Sequence, residues 1–135
     1  YVDTGLNLVD VADVAKGHLL AAKKGRHGEK YILGNENHSL KDIFRLMAGL
    51  TGRRVPRVRV PYVMALAAAY ADAAFARVVP GREPFASPVA VKLSRKKMFF
   101  SANKAVRELG LPQTPILGAL REAIAWFEQN GYVRK

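Results

Sequence analysis

One segment of the sequence, residues 62–79, is rich in alanine and apolar on nearly every face of a helix, and it constrains the fold more than any other feature. Its length approaches that of a membrane span. However, Asp72 and Arg77 lie inside it, and alanine-rich segments insert into bilayers poorly. We therefore predict a helix that is buried or that forms an interface, and we expect no membrane span.

The rest of the chain alternates short apolar runs with amphipathic helical segments. Strands are predicted at residues 6–9, 31–33, 55–60 and 98–100, and Pro56 would confine the third of them to a sheet edge. This alternation indicates an α/β fold in which helices predominate and strands are few and short. A chain of 135 residues is long enough for one domain, which we expect to span residues 1–135.

Polar residues and glycines mark the ends of the predicted helices. Asp10, Ser39 and Ser101 stand where a side chain can accept a hydrogen bond from the first helical turn. Gly25 and Gly52 follow the first two helices, so both are predicted to end them in a left-handed conformation.

The predicted strand at residues 31–33 is apolar on both faces, as strands in the middle of a parallel sheet are. This sequence supplies no neighbouring parallel strand for it. Because a bare apolar edge invites pairing with another chain, we expect the isolated chain to form homodimers or to aggregate.

The positive charge is concentrated in the middle of the chain. The formal net charge is +11, and residues 43–107 contain thirteen basic and only two acidic residues. Two clusters dominate, namely Arg53, Arg54, Arg57 and Arg59, then Lys92, Arg95, Lys96 and Lys97. They indicate either an anion site, for nucleic acid, acidic lipid or a phosphorylated small molecule, or a solvated basic face. No aromatic residue interleaves the arginine cluster, which disfavours nucleic acid.

The sequence lacks the residues that several kinds of site require. There is no cysteine, which fits the cytoplasm, and the three histidines are scattered singly, so no metal site is expected. His18 falls on an apolar helix face and is predicted to lie in the core, whereas His27 and His38 are predicted in solvated turns. Neither a Gly-x-Gly-x-x-Gly turn nor a Tyr-x-x-x-Lys pair occurs. The chain also begins with Tyr1 rather than Met, so we expect it to be a fragment.

Three stretches in register resemble the extended short-chain dehydrogenases/reductases, the NAD-dependent epimerase/dehydratase family. Residues 7–18 read NLVDVADVAKGH and resemble the family's HVxDVAxxH segment. Residues 101–112 read SANKAVRELGLP and resemble its C-terminal SKAxxELGxxP segment, and residues 29–34 fit the last strand of its sheet. The sequence most resembles the dihydroflavonol-4-reductase-like branch, and within it the hopanoid-associated sugar epimerases. The UDP-sugar epimerases of this family carry an Arg-Asp pair before the first strand, and the arginine contacts the nucleotide diphosphate. Gly5 and Leu6 stand at the matching positions here, which disfavours a nucleotide-sugar substrate.

The resemblance implies the mostly helical, C-terminal substrate-binding part of a Rossmann-type oxidoreductase that uses NAD or NADP on a small sugar or ketone. The family's glycine-rich turn and catalytic Tyr-x-x-x-Lys pair belong to its N-terminal part. No catalytic or cofactor-binding residue is therefore predicted here, and the chain alone is expected to be inactive and to bind no cofactor. Asn7, Arg95 and Lys97 are the predicted substrate-binding residues, although a solvated basic turn also explains the last two.

The sequence leaves two alternatives to this function open. The first is a stand-alone basic module that binds nucleic acid or anionic membrane surfaces. The second is a protein with a purely structural, interaction-only role.

Overall fold

The computed structural model describes residues 1–79, 81–85 and 87–132, and this part of the chain forms eight regular elements, of which the last five are helices. The elements are, in order, β1 (Gly5–Leu8), α1 (Val11–Lys24), β2 (Glu36–Ser39), α2 (Leu40–Thr51), α3 (Tyr62–Val78), α4 (Pro88–Ser94), α5 (Asn103–Leu109) and α6 (Ile116–Gln129). The predicted α/β class with few, short strands and predominating helices is confirmed.

β1 is the centre of the sheet. It pairs antiparallel with β2 in a register that places Asn7 opposite Asn37. On its other side, a single parallel bridge joins Leu6 to Met98, whose N–H donates to the Gly5 carbonyl at 2.8 Å. The strand predicted at residues 98–100 is thus reduced to one bridge.

The strands predicted at residues 31–33 and 55–60 are wrong. A strand needs a hydrogen-bonded neighbour, and the part of the chain that the structure describes offers none to residues 31–33. Residues 55–60 make two such bonds, both with Tyr1: the Val60 N–H donates to the Tyr1 carbonyl at 2.8 Å, and the Tyr1 amino group donates to the Val58 carbonyl at 2.8 Å. An apolar run alone therefore does not become a strand.

Most of the predicted helix ends are confirmed, because caps depend on local residues. The Asp10 carboxylate accepts the Ala12 N–H at 2.7 Å, and the Ser39 hydroxyl accepts the Asp42 N–H at 3.2 Å. Gly52 ends α2 at φ 68°.

Two other helix ends differ from the prediction. Gly25 adopts an extended conformation at φ −64°, so the left-handed stop predicted there is wrong. The N-cap of α5 is Ala102 rather than Ser101, whose hydroxyl only accepts the Asn103 N–H at 3.4 Å.

The core lies where α5 packs against α1. Its buried members are Ala102, Ala105, Leu109 and Leu111, with Leu20, Ala21, Tyr31, Leu33 and Val106 against them. Gly17 permits this packing, since a Cβ atom there would stand only 2.8 Å from Leu111 Cδ1 and 2.9 Å from Leu33 Cδ2.

One buried carboxylate ties α1 to the segment before α6. Asp13 is 1% exposed, and its two oxygens accept the Thr114 N–H at 2.7 Å and the Thr114 hydroxyl at 3.1 Å. Because a buried charge is tolerated only when it is hydrogen-bonded, these two bonds fix the position of Thr114.

α3 is the apolar helix that the sequence predicts. One face packs against α4, and Ala69 is the residue of α3 that this packing buries. The other face is exposed. No helix among the described residues is long and apolar enough to cross a membrane.

Candidate functional site

Asn7, the first predicted binding residue, lies at the middle of a hydrogen-bond network. Its side-chain oxygen accepts the Asn35 N–H at 3.0 Å. Its side-chain nitrogen lies 2.8 Å from Asn37 Oδ1 and 3.3 Å from the Phe100 carbonyl. The amide is therefore engaged within the chain, where it positions the backbone around it.

Asn37, directly opposite on β2, completes this network. Its side-chain oxygen accepts the Phe100 N–H at 3.1 Å, and its side-chain nitrogen donates to the Phe100 carbonyl at 3.0 Å. A side-chain amide that bonds both groups of one residue replaces a strand neighbour. Asn7 and Asn37 together thus hold the segment that follows Lys97 against the hairpin.

Arg95, the second predicted residue, lines a cleft of about 480 Å³ between the start of the chain, the approach to α3 and the end of α4. Its guanidinium carbon lies 5.5 Å from the centroid of the Tyr62 ring. No carboxylate of the described residues lies within ion-pair distance of Arg95, so its charge is available to an anionic or strongly polar ligand.

Two further charged residues line this cleft, and no predicted binding site included them. They are Arg59 and Asp3, which form an ion pair with each other. In the sequence Arg59 is only a member of a basic cluster, because its place in the cleft depends on residues 1–3 lying beside the approach to α3.

Lys97, the third predicted residue, points elsewhere. Its ammonium lies 6.0 Å from the centroid of the Phe99 ring, and the cleft that contains Arg95 does not include it. Phe99 in turn packs over Gly5, where a Cβ atom would overlap the ring. The structure therefore separates Lys97 from Arg95 although only one residue stands between them.

The histidines do not form a catalytic or metal-binding cluster among the described residues. His18 is exposed, so its predicted core position is wrong; it shows only an Nδ1 contact with the Val14 carbonyl at 2.8 Å. His38 lies on β2 rather than in a turn, 2.8 Å from Glu36. His27 lies in an exposed turn, as predicted.

A larger cleft, of about 600 Å³, lies between α2 and α6. Leu46, Leu50 and Leu117 form its apolar wall, and Arg45 and Arg121 its basic rim. None of the predicted binding residues lines it.

Neither strand–helix junction offers a site for a dinucleotide pyrophosphate. Helix N-termini attract phosphate through free N–H groups and a positive dipole end. Here Asp10 caps α1 and Asp13 stands in its first turn, while Asp42 stands in the first turn of α2. The Asp10 carboxylate and the Ser39 hydroxyl each accept one first-turn N–H, and the three carboxylates would repel a phosphate, so neither helix start fits the pyrophosphate of NAD or NADP.

No protein-family model matches the chain. It is 44% identical over 138 residues to a Synechocystis protein that carries the name dihydroflavonol 4-reductase, which it covers to 40%. It is 30% identical over 134 residues to sterol demethylase protein B of Methylococcus capsulatus, which it covers to 41%. It is 25% identical over 141 residues to human short-chain dehydrogenase/reductase family 42E member 1, which it covers to 35%. These matches include 99%, 98% and 96% of the chain, respectively. The chain thus spans about two-fifths of the length of the first two relatives.

A solved structure also matches nearly the whole chain over about two-fifths of its own length. A nucleoside-diphosphate-sugar epimerase from Pseudomonas aeruginosa superposes with a TM-score of 0.74 at 31% identity. The match covers 99% of this chain and 39% of that one.

Proposed function

Because this chain belongs to the extended short-chain dehydrogenases/reductases and corresponds to their C-terminal part, we propose that it is the substrate-binding part of an NAD(P)-dependent epimerase or reductase. The observation that carries the proposal is the Arg95 cleft. Its volume lies within the range of small-molecule sites, and a cation lies over an aromatic ring within it.

The division of labour follows from the residues that the sequence contains. It has neither a glycine-rich dinucleotide turn nor a Tyr-x-x-x-Lys pair. When bound by another part of the protein, NAD or NADP would supply the hydride chemistry. This chain alone is then inactive, and its task is to bind and orient a small sugar or ketone substrate, in the cytoplasm.

Each predicted residue has a distinct role in this proposal. Arg95 contacts the substrate, because its guanidinium fork can donate two parallel hydrogen bonds to a phosphate, a carboxylate or neighbouring hydroxyl oxygens. Lys97 contributes positive charge near β1. Asn7 acts as a positioning residue, since its amide already bonds the backbone around it.

The two relatives with functional names bear on the substrate. One carries the name of a dihydroflavonol reductase and the other that of a sterol demethylase protein. Both names, together with the missing Arg-Asp pair, favour a small ketone over a nucleotide sugar, whereas the name of the Pseudomonas epimerase points to a nucleotide sugar.

The test of Arg95 uses a polypeptide that joins this chain to its dinucleotide-binding part. Loss of a hydrogen bond to a charged group costs about 1.5–3 kcal/mol, so Arg95→Gln should lower kcat/KM by about 10- to 150-fold. Arg54→Gln removes an arginine outside the cleft and serves as the matched control, which should stay within about twofold. Equal activity of both variants would refute the role of Arg95.

A second experiment tests whether another part of the protein holds the cofactor. Neither NAD nor NADP should raise the melting temperature of the isolated chain, because a ligand that binds only the folded form must stabilise it. A clear upward shift would contradict the proposal that the cofactor is held elsewhere.

A further inference from the structure

The outward face of α3 is exposed, and it is apolar except for Arg77 in the last turn. Its largest members are Val63, Met64, Tyr70, Phe75 and Val78, which are between 51% and 78% exposed. The alanines at positions 67, 68, 71 and 74 fill the space between them. Because α4 covers the opposite face, the outward face has no packing role among the described residues.

The one acidic residue within α3 is withdrawn from this face. Asp72 pairs with Arg82 at 2.7 Å and accepts the Phe85 N–H at 2.6 Å. These bonds neutralise its charge and hold the loop after α3. Phe85, on that loop, is 97% exposed, so the loop presents an aromatic ring to solvent beside the helix.

Cations accompany the aromatic rings of α3. The Arg82 guanidinium lies 4.8 Å from the centroid of the Phe75 ring, and the Lys92 ammonium lies 5.6 Å from that of Tyr70. Arg95, at the mouth of the cleft, continues the row over Tyr62. A cation over an exposed aromatic ring leaves its charge at the edge of the apolar face.

We propose that α3, with the loop that carries Phe85, binds to the surface of an anionic lipid bilayer. A helix of 17 residues is about 25 Å long, enough to lie in the plane of the interface. Its apolar face would enter the boundary between headgroups and acyl chains. Arg77 and Lys92 would then meet lipid phosphates, whereas Arg82 is already paired with Asp72. Each basic residue near such a surface strengthens binding about fivefold.

The positive charges beside the α3 face favour a lipid surface over a second copy of the chain as its partner. A two-fold contact through the same face would bring the basic row of one copy against that of the other. Like charges at an interface oppose association, whereas anionic headgroups complement them. The proposal does not depend on the identity of the substrate.

The test measures vesicle binding of the polypeptide that joins this chain to its dinucleotide-binding part, so that only a face that stays exposed in the longer protein can bind. We expect this polypeptide to sediment with vesicles that mix phosphatidylglycerol and phosphatidylcholine, and not with pure phosphatidylcholine. High salt should release it, because the electrostatic contribution is screened. Val78→Ser combined with Phe85→Ser should reduce binding at least tenfold, since both side chains are exposed and contribute through burial in lipid.

The matched control removes exposed apolar side chains from another helix. Val11→Ser combined with Leu19→Ser changes residues of α1 that are 82% and 65% exposed, and it should leave vesicle binding unchanged. Circular dichroism of both double variants verifies that each is folded.

Three results would overturn the proposal. The first is no sedimentation with anionic vesicles at low salt. The second is an equal loss in both double variants, or in neither, which would mean that general hydrophobicity or charge alone attracts the chain. The third is a dimer, detected by light scattering, that Val78→Ser with Phe85→Ser dissociates while vesicles bind neither form; the face would then be an interface between copies.

Discussion

The buried bond between Asp13 and Thr114 allows a quantitative prediction. Asp13 lies in the first turn of α1 and Thr114 just before α6, 101 residues later in the sequence. Two hydrogen bonds to a charged acceptor are worth about 1.5–3 kcal/mol each, and part of this is offset by the cost of burying the carboxylate. Asp13→Ala should therefore lower the free energy of unfolding by about 3 kcal/mol.

A double-mutant cycle separates the two bonds. Thr114→Val removes only the hydroxyl bond, so we expect it to cost about 1.5 kcal/mol and to retain the bond from the Thr114 N–H. In the Asp13→Ala background the same substitution should cost almost nothing. The coupling free energy of the pair is then about 1–2 kcal/mol.

The assay is urea unfolding followed by far-UV circular dichroism, with the slope of the transition as a test that the compactness of both states is unchanged. Asp3→Ala is the matched control, because its carboxylate pairs with Arg59 at the surface and its loss should cost less than about 1 kcal/mol. A cost for Asp13→Ala no greater than that of the control, or a coupling free energy near zero, would refute the reasoning.

Two other predictions concern pH and close packing. The hydrogen bond from His38, then that from the first amide of α6, lowers the pKa of Glu36, so its contribution to stability is present above the ordinary glutamate pKa and is lost as pH falls through the lowered value. The difference in unfolding free energy between wild type and Glu36→Gln should therefore be largest near about pH 7 and shrink as pH falls below the ordinary glutamate pKa; a constant difference would contradict this. Gly5→Ala should destabilise by about 1–3 kcal/mol because its Cβ overlaps the Phe99 ring, whereas Gly49→Ala, in open space on α2, should stabilise by up to about 1 kcal/mol in the same urea assay.

Local sequence predicted the helices because a cap and an apolar stripe are properties of adjacent residues. Asp10 and Ser39 cap their helices as expected, and the apolar circumference of α3 is present. The left-handed conformation predicted for Gly25 is wrong because an extended C-cap also ends a helix. A glycine alone does not select the left-handed form.

The strands and the cleft were harder to predict because they depend on residues that are distant in the sequence. Residues 31–33 are apolar, but without a hydrogen-bonded neighbour they form no strand. Likewise, Arg59 reaches the Arg95 cleft only because residues 1–3 and the approach to α3 run beside each other. Nothing in the local pattern around Arg59 distinguishes it from Arg53 or Arg57.

The asparagines near β1 explain how so short a sheet can position the segment that follows Lys97. β1 has four residues, and Met98 forms only one bridge with it, too few backbone bonds to hold the following segment. Asn37 supplies the missing bonds by pairing with both the N–H and the carbonyl of Phe100, and Asn7 adds a third contact from the strand itself. Gly34 is required for this arrangement, because a Cβ atom there would collide with the Asn7 amide oxygen. Asn7 and Asn37 therefore fix the backbone that follows Lys97 through bonds within the chain, without any ligand.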